Sequence, residues 1–498
     1  IPANAEPDSN DKCTRVPHPI FQRLSRLLSD LPMASSPVSA HQPHLTPTTG
    51  NQPWLAPAIL LLVWLLSAVW PAMHSIAVRN VLVATLLIGG FLLLRSRQIN
   101  PRQPSALALP AKLFLLLSGW LLLTVLIAED KLNALDQYRG EWLLATLGML
   151  AGWLVARLTI SGTERNLTPN RLLMALTLGL AMPTSIVLAN AAWEWLQTGA
   201  LPLSDAPLYG RTSASMVNNT LYGLLLADIL SRTTVNRRLL APLPPFGLLL
   251  AWILSLVATY VLNTRNGTLC ILLMTLLAFV IYAWRQRHRL NMPLLLLSAL
   301  LMAGALGWFG KLGYNADPRW AAFSESIQLS LDTNTHRAWL DDQIPLPLMS
   351  NGQPVDHSAY MRMAWLKEGA QAVADNPLGV GFGRNAFGHA MKLKYGIGTG
   401  HSHSSLIDFT LSGGIPGLLL WLTLSAVLMR QGWRAGFLHA NPAGLALLLL
   451  IAGALLRMVI DSNLRDHGLE QYLFQLALLT VLAAQPEKPT TQSQVDHG

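Results

Sequence analysis

The chain has 498 residues, of which 52% are hydrophobic and only 12% charged, with a formal net charge of +9. Soluble domains carry about 25% charged residues, so this composition excludes an ordinary water-soluble fold. The basic excess would suit a nucleic-acid partner, but most Lys and Arg residues sit in short connections between apolar runs, a pattern that reads as membrane orientation.

Residues 1–53 are polar, rich in Pro, Ser, Thr and His, and read as a disordered cytoplasmic tail. The chain starts at Ile1, and Met33 opens a stretch that would serve as a start, so residues 1–32 read as upstream sequence and stand outside the fold argument. About 20 apolar residues cross a bilayer. Twelve runs approach or reach that length: 54–73, 76–94, 108–128, 142–156, 172–192, 218–231, 246–262, 267–284, 292–309, 406–429, 443–460 and 469–484. The sixth is interrupted by Asp228. The expected fold is therefore an all-α polytopic membrane protein. It has nine spans within 54–309, a long extramembrane stretch at 310–405, three spans within 406–484 and a short tail at 485–498.

The even-numbered connections and their flanking span ends carry fifteen basic residues, whereas the short odd-numbered ones carry six. Positive charge stays on the cytoplasmic side. Both termini are thus expected in the cytoplasm and the 310–405 stretch on the outer face, the periplasm in a bacterium. In that stretch Ala359, Met363, Leu366, Ala370 and Val373 recur at helical spacing and form one apolar stripe, stopped by Asn376-Pro377. The run PLGVGFG follows. With no strand before it, it reads as tight turns and not as a nucleotide loop. Cys13 and Cys270 have no plausible partner, so neither a disulfide nor a metal site is expected from them.

Chemistry concentrates on the outward side. His401 and His403 stand where the long loop meets the tenth span. Imidazole can accept a proton from a hydroxyl near neutral pH. On a helix His401 would point elsewhere than His403, so the two are not read as a metal pair. Asp408, four residues after Ser404, would orient a partner or cap the helix. Arg211, Arg265 and Arg362 are outward arginines on a side where positive charge is sparse. Guanidinium groups bind phosphate in a two-pronged way and stay charged, so such a cluster suits a diphosphate at the outer surface. Asp461, Arg465 and His467 would line the same cavity or pair with one another. Arg457, inside the eleventh span, needs a partner or a wet cavity. The outward loops hold no acidic pattern that suggests a metal.

His403-Ser404, nine residues, then Gly414-Ile415-Pro416-Gly417 resembles the signature of the O-antigen ligase and polymerase superfamily. Asn263-Thr264-Arg265-Asn266-Gly267 is similar to that family's Ser-Arg-Gly turn, with Thr for Ser and an inserted Asn. Arg362 to Gly383, RMAWLKEGAQAVADNPLGVGFG, resembles its Arg, Trp, Pro-x-Gly-x-Gly run. The resemblance implies transfer of a glycan from undecaprenyl diphosphate to a sugar hydroxyl of lipid A-core. The reaction would run at the periplasmic face of the inner membrane, with inversion and without a cofactor. Arg265, Arg362 and Arg211 would hold the donor diphosphate and His403 would activate the acceptor, supported by His401, Asp408 and Arg465. Relatives polymerise repeat units or glycosylate proteins. The protein-modifying ones commonly carry a periplasmic domain after the last span, whereas this chain ends about 14 residues past it, which favours a ligase. A lipid-linked glycan transporter or flippase is the rival class. The halves show no repeat, and the charged sites crowd the outer side and not the midplane.

Overall fold

The structure is a computed structural model that describes residues 54–96, 105–162, 164–200, 206–287, 292–316 and 322–485. The expected tails at 1–53 and beyond 485 lie outside the described residues. Among those residues the chain is helical, apart from one isolated bridge between Leu348 and Pro354.

The helices are α1 (Leu55–Val69), α2 (Ile76–Ser96), α3 (Ser105–Thr124), α4 (Lys131–Ile160, with a π turn at Tyr138–Leu143), α5 (Pro169–Thr198), α6 (Arg211–Thr234), α7 (Pro245–Leu262), α8 (Arg265–Gln286) and α9 (Met292–Ala316). After them come α10 (Phe323–Ser330), α11 (His357–Asp375), α12 (Ala386–Tyr395), α13 (Ser405–Leu438), α14 (Pro442–Met458) and α15 (Asp466–Ala483). Each apolar run read from the sequence falls on one of these helices. Seven of them, α2–α5, α7, α8 and α13, are long and apolar enough to cross a membrane. The apolar α1 and α14 have 15 and 17 residues, too short to count by the same measure.

Local chemistry starts these helices where expected. Thr168 caps α5 and Asn441 caps α14, each with Pro at the first helical position, where its missing N–H costs nothing. Small residues then let backbones touch. A Cβ on Gly152 of α4 would fall on the carbonyl of Phe474 in α15. Gly432 and Gly436 of α13 admit Gly444 of α14, whose Cβ would lie 2.5 Å from the Gly432 carbonyl oxygen. In lipid, where tails are as apolar as leucine, such close packing is a main source of helix association. The outer faces of α2 and α3 carry apolar side chains that no helix covers, with Ile88, Phe91, Leu92, Leu115 and Leu116 exposed. Some polar residues inside the bundle are paired. Asn218 of α6 donates to Thr259 Oγ1 (2.8 Å) and the Ser255 carbonyl (2.9 Å) of α7. Asp228, the interruption of the sixth run, holds Arg232 at 2.8 Å and accepts the Leu239 N–H at 2.8 Å.

The connections segregate. Met73 N–H donates to the Leu208 carbonyl (2.8 Å), joining the α1–α2 and α5–α6 turns. The Asp461 carbonyl after α14 accepts the Ser405 N–H (3.0 Å) at the start of α13. Glu129 before α4 lies 3.7 Å from His389 of α12. Elsewhere, Asn441 between α13 and α14 donates to the carbonyls of Leu482 and Gln485 at the end of α15. The odd-numbered connections thus gather with α10–α12. That helical trio has its own core of Trp339, Tyr360, Phe387 and Met391, closed by Ile407 and Leu411 of α13.

Candidate functional site

The two glycine motifs of the sequence meet each other. Gly414 has φ 68° and ψ 176°, which breaks α13 into two segments ahead of Pro416. The freed backbone is met by the glycine run after α11: Ile415 N–H donates to the Pro377 carbonyl (2.8 Å) and Val380 N–H to the Leu411 carbonyl (2.8 Å). Ser412 Oγ accepts the Gly383 N–H (3.0 Å), and Trp120 Nε1 of α3 donates to the Gly413 carbonyl (2.6 Å). The PLGVGFG run therefore turns tightly because it threads past a broken helix.

This junction fixes the start of α13 and the histidine loop before it. Asp408 accepts from Ser402 twice, from Oγ at 3.0 Å and from N–H at 3.3 Å. Ser402 Oγ accepts the Ser404 N–H (3.1 Å), and Ser405 Oγ accepts the Leu464 N–H (2.8 Å). Asp408 thus orients the loop. The loop in turn holds His403 at φ 55°, a left-handed conformation that a non-glycine residue adopts only when its neighbours enforce it.

His403 stacks on Trp365 of α11, ring centroids 5.4 Å apart and 14° from parallel. Trp365 is itself pinned by donating to the Trp339 carbonyl at 2.9 Å. His401 corrects an expectation: its ring centroid lies 4.1 Å from that of His403, because the segment is a loop and helical spacing does not apply. Burial holds the His403 pKa below the usual histidine range. The positive charges of Arg362 and Arg465 add to this, and Asp461 opposes it. For His401 burial, then Arg465, His403 and Arg384, push the pKa down to about 3. Both rings are therefore neutral at pH 7.

His403, Arg265 and Arg362 line one cavity of about 310 Å³ between α8, α9, α11 and the end of α14. Behind it a recess of about 120 Å³ shares Arg265 and Arg362 and adds Arg211 and Arg457. Arg211 and Arg265 are the first residues of α6 and α8, and Arg362 lies within α11, so none is a loop position. The positive ends of two helix dipoles point to the same place. Arg265 pairs with Asp356 (2.9 Å), which also caps α11 through the Ala359 N–H (2.7 Å). Arg457 pairs with Asp461 (2.7 Å), the partner its sequence position demanded. Four guanidinium groups thus border one small recess, and guanidinium groups suit an anion such as phosphate.

The expected apolar stripe of α11 is divided in the structure. Ala370 is exposed, Leu366 and Val373 pack against the core of the helical trio, and the most buried face runs through Met361, Ala364, Glu368 and Ala372. Ala359, Met363 and Leu366 also line the arginine cavity beside Arg362. Through Leu272 the cavity adjoins an apolar groove of about 1050 Å³ between α6, α7, α8 and α9, walled by residues such as Leu226, Trp252, Leu256 and Trp308.

Arg465 does not enter the arginine cavity. It bonds Asp466 (3.3 Å), which also holds Arg384 (2.7 Å), on the His401 side of the loop. Sequence reading missed Asp356, Trp365 and Arg384. Trp365 stood inside a quoted motif, but nothing local marked it as the ring beneath His403. Among the described residues no cluster of three His, Cys, Asp or Glu side chains is placed to hold a metal.

Residues 250–422 match the family model described as O-Antigen ligase. The span runs from α7 through the kinked part of α13, and so takes in Arg265, Arg362, His403 and both glycine motifs. No curated protein matches the chain. Over that stretch the chain is similar to the O-antigen ligase family, and with seven helices long and apolar enough to cross a membrane the match supports a multi-pass membrane protein.

Proposed function

We propose that this O-antigen ligase-type protein transfers a glycan from undecaprenyl diphosphate to a sugar hydroxyl of lipid A-core. The reaction takes place on the periplasmic face of the inner membrane, in a chain that crosses it twelve times. The observation that carries the reading is the cavity shared by His403, Arg265 and Arg362, open beside an apolar groove. A neutral imidazole and an anion-binding arginine set then face one small volume, as attack by a hydroxyl on a diphosphate-activated sugar requires.

The acceptor oxygen forms a bond to the anomeric carbon while the bond from that carbon to the diphosphate oxygen breaks. His403 takes the acceptor proton. Undecaprenyl diphosphate leaves with the electron pair, and the arginines meet the charge that grows on it. Fixed donors aimed at developing charge stabilise the transition state more than the ground state. Attack from the face opposite the diphosphate inverts the anomeric configuration. The groove walled by Leu226, Trp252, Leu256 and Trp308 accommodates the donor's apolar tail.

The deciding experiment uses purified protein, undecaprenyl-diphosphate-linked glycan and rough lipopolysaccharide. Ligated lipopolysaccharide and free undecaprenyl diphosphate should form, and should still form in excess EDTA. Elongation of the lipid-linked glycan in place of ligation would assign a polymerase. Loss of transfer in EDTA with rescue by magnesium would replace the arginine role.

A further inference from the structure

A second polar cleft, of about 290 Å³, lies between the start of α4 and the 380–399 segment, and shares no lining residue with the arginine cavity or its recess. Asn133 and Gln137 of α4, Asn385, His389 and Lys392 at α12, and Thr399 line it. Gln137 Oε1 accepts the Arg384 N–H, and its Nε2 donates to Asn133 Oδ1 (3.1 Å). Gln137 is thereby committed to the wall, and Asn133 keeps its NH₂ to offer. Thr399 Oγ1 is sealed from solvent and has no hydrogen-bond partner among the described residues. A hydroxyl left unsatisfied in the wall is costly, and a small opening of the wall toward a ligand hydroxyl in the cleft would satisfy it.

The carboxylates of Glu129 and Asp130, the ammonium of Lys392 and the imidazole of His389 line the same concavity, a mixture of hydrogen-bond donors and acceptors. With amides and a hydroxyl added, it fits an uncharged polyhydroxyl ring. The segment 398–404 links the two sites: Gly398 and Thr399 wall the cleft, and Ser402, His403 and Ser404 wall the arginine cavity. Four residues of chain reach at most about 14 Å, so the cleft lies within a few sugar lengths of His403.

We propose that this cleft binds neutral sugar units of the acceptor glycan, on walls other than those that carry the arginines. Inverting displacement puts nucleophile and leaving group on opposite faces of the reacting carbon, so acceptor and donor enter from separate sites. The inference rests on the transferase reading above.

The test uses full-length protein in lipid nanodiscs. The probe is the core oligosaccharide released by mild acid from rough lipopolysaccharide. Binding is followed by saturation-transfer NMR, and transfer by acceptor KM. Asn133→Ala with Thr399→Val should weaken oligosaccharide binding and raise acceptor KM by about tenfold or more, the loss expected for removed hydrogen bonds, with donor KM and kcat at saturating acceptor unchanged. Lys392→Trp, at an exposed position, should block the cleft without touching the core. Cleft-dependent binding by a protein that transfers nothing would support the site and refute the transferase reading. Transfer with wild-type acceptor KM and binding in both variants would overturn the cleft, as would a wild-type protein that shows no oligosaccharide binding.

Discussion

His403 occupies a strained backbone position, stacked on Trp365 and flanked by His401. A positioned general base contributes about 10² to 10⁴ in rate, so His403→Ala should lower kcat by that amount in single-turnover transfer, with donor binding retained. The pH profile carries a sign. A histidine whose pKa is depressed in the fold stays neutral, and therefore active as a base, below the usual value of about 6.5. The acid limb of kcat should lie below that pH. Arg465→Gln removes one of the charges that depress both histidines and should move the limb upward. Stability follows the same linkage. It is fully present above about 6.5 and declines as pH falls toward the folded values, because the unfolded chain takes up protons the buried rings refuse. Arg265 already holds Asp356 and packs over Phe323 (5.6 Å). Lysine keeps its charge but cannot serve Asp356 and a phosphate together. Arg265→Lys should therefore cost about 10- to 100-fold in kcat/KM, the worth of a charge-assisted hydrogen bond. Arg265, Arg362 and His403 were legible as outward polar residues in an apolar chain. Their convergence was not, because it depends on the register of α8 against α11 and on a loop no local pattern describes.

Among the elements, α13 was legible as an apolar run with a glycine interruption, but not as the partner of the other glycine motif. Those two segments lie more than thirty residues apart, and only their hydrogen bonds reveal why both need glycine. Gly414 has a φ and ψ almost confined to glycine, and a Cβ there would lie 2.5 Å from the Leu378 carbonyl carbon. Gly414→Ala should lower the melting temperature in detergent and reduce transfer, since the kink sets the histidine loop. Gly417→Ala should be milder, because its Cβ would meet only the side chains of Trp120, at 3.4 Å, and Leu121, at 3.7 Å. Similar melting temperatures for the two variants would show that the kink carries no structural demand. The α11 stripe was legible by its period, but not what it faces: part packs on a core and part walls the cavity. Apolar spacing marks a face turned from water, and a cavity wall satisfies that as well as a core does.

For the whole molecule, the charge asymmetry of the connections implies a sidedness that labelling can test. Ser350 is exposed beside α10, and His439 is exposed in the turn between α13 and α14. With Cys13 replaced by Ser and Cys270 buried, an impermeant thiol reagent added outside should modify Ser350→Cys and spare His439→Cys. The reverse labelling would turn the proposed site toward the cytoplasm. The number of crossings was less legible, because α6 and α15 bury many polar residues inside the bundle, which lowers their hydropathy without exposing them to water. The apolar groove beside the arginine cavity has a kinetic consequence. A donor whose tail never leaves the bilayer meets the enzyme by diffusing in two dimensions, so its effective concentration is a mole fraction in the membrane and not a molarity in the medium. At fixed bulk donor and enzyme, adding inert phospholipid to the same proteoliposomes should slow transfer below saturation. The donor's half-saturation point should hold constant only when expressed per lipid.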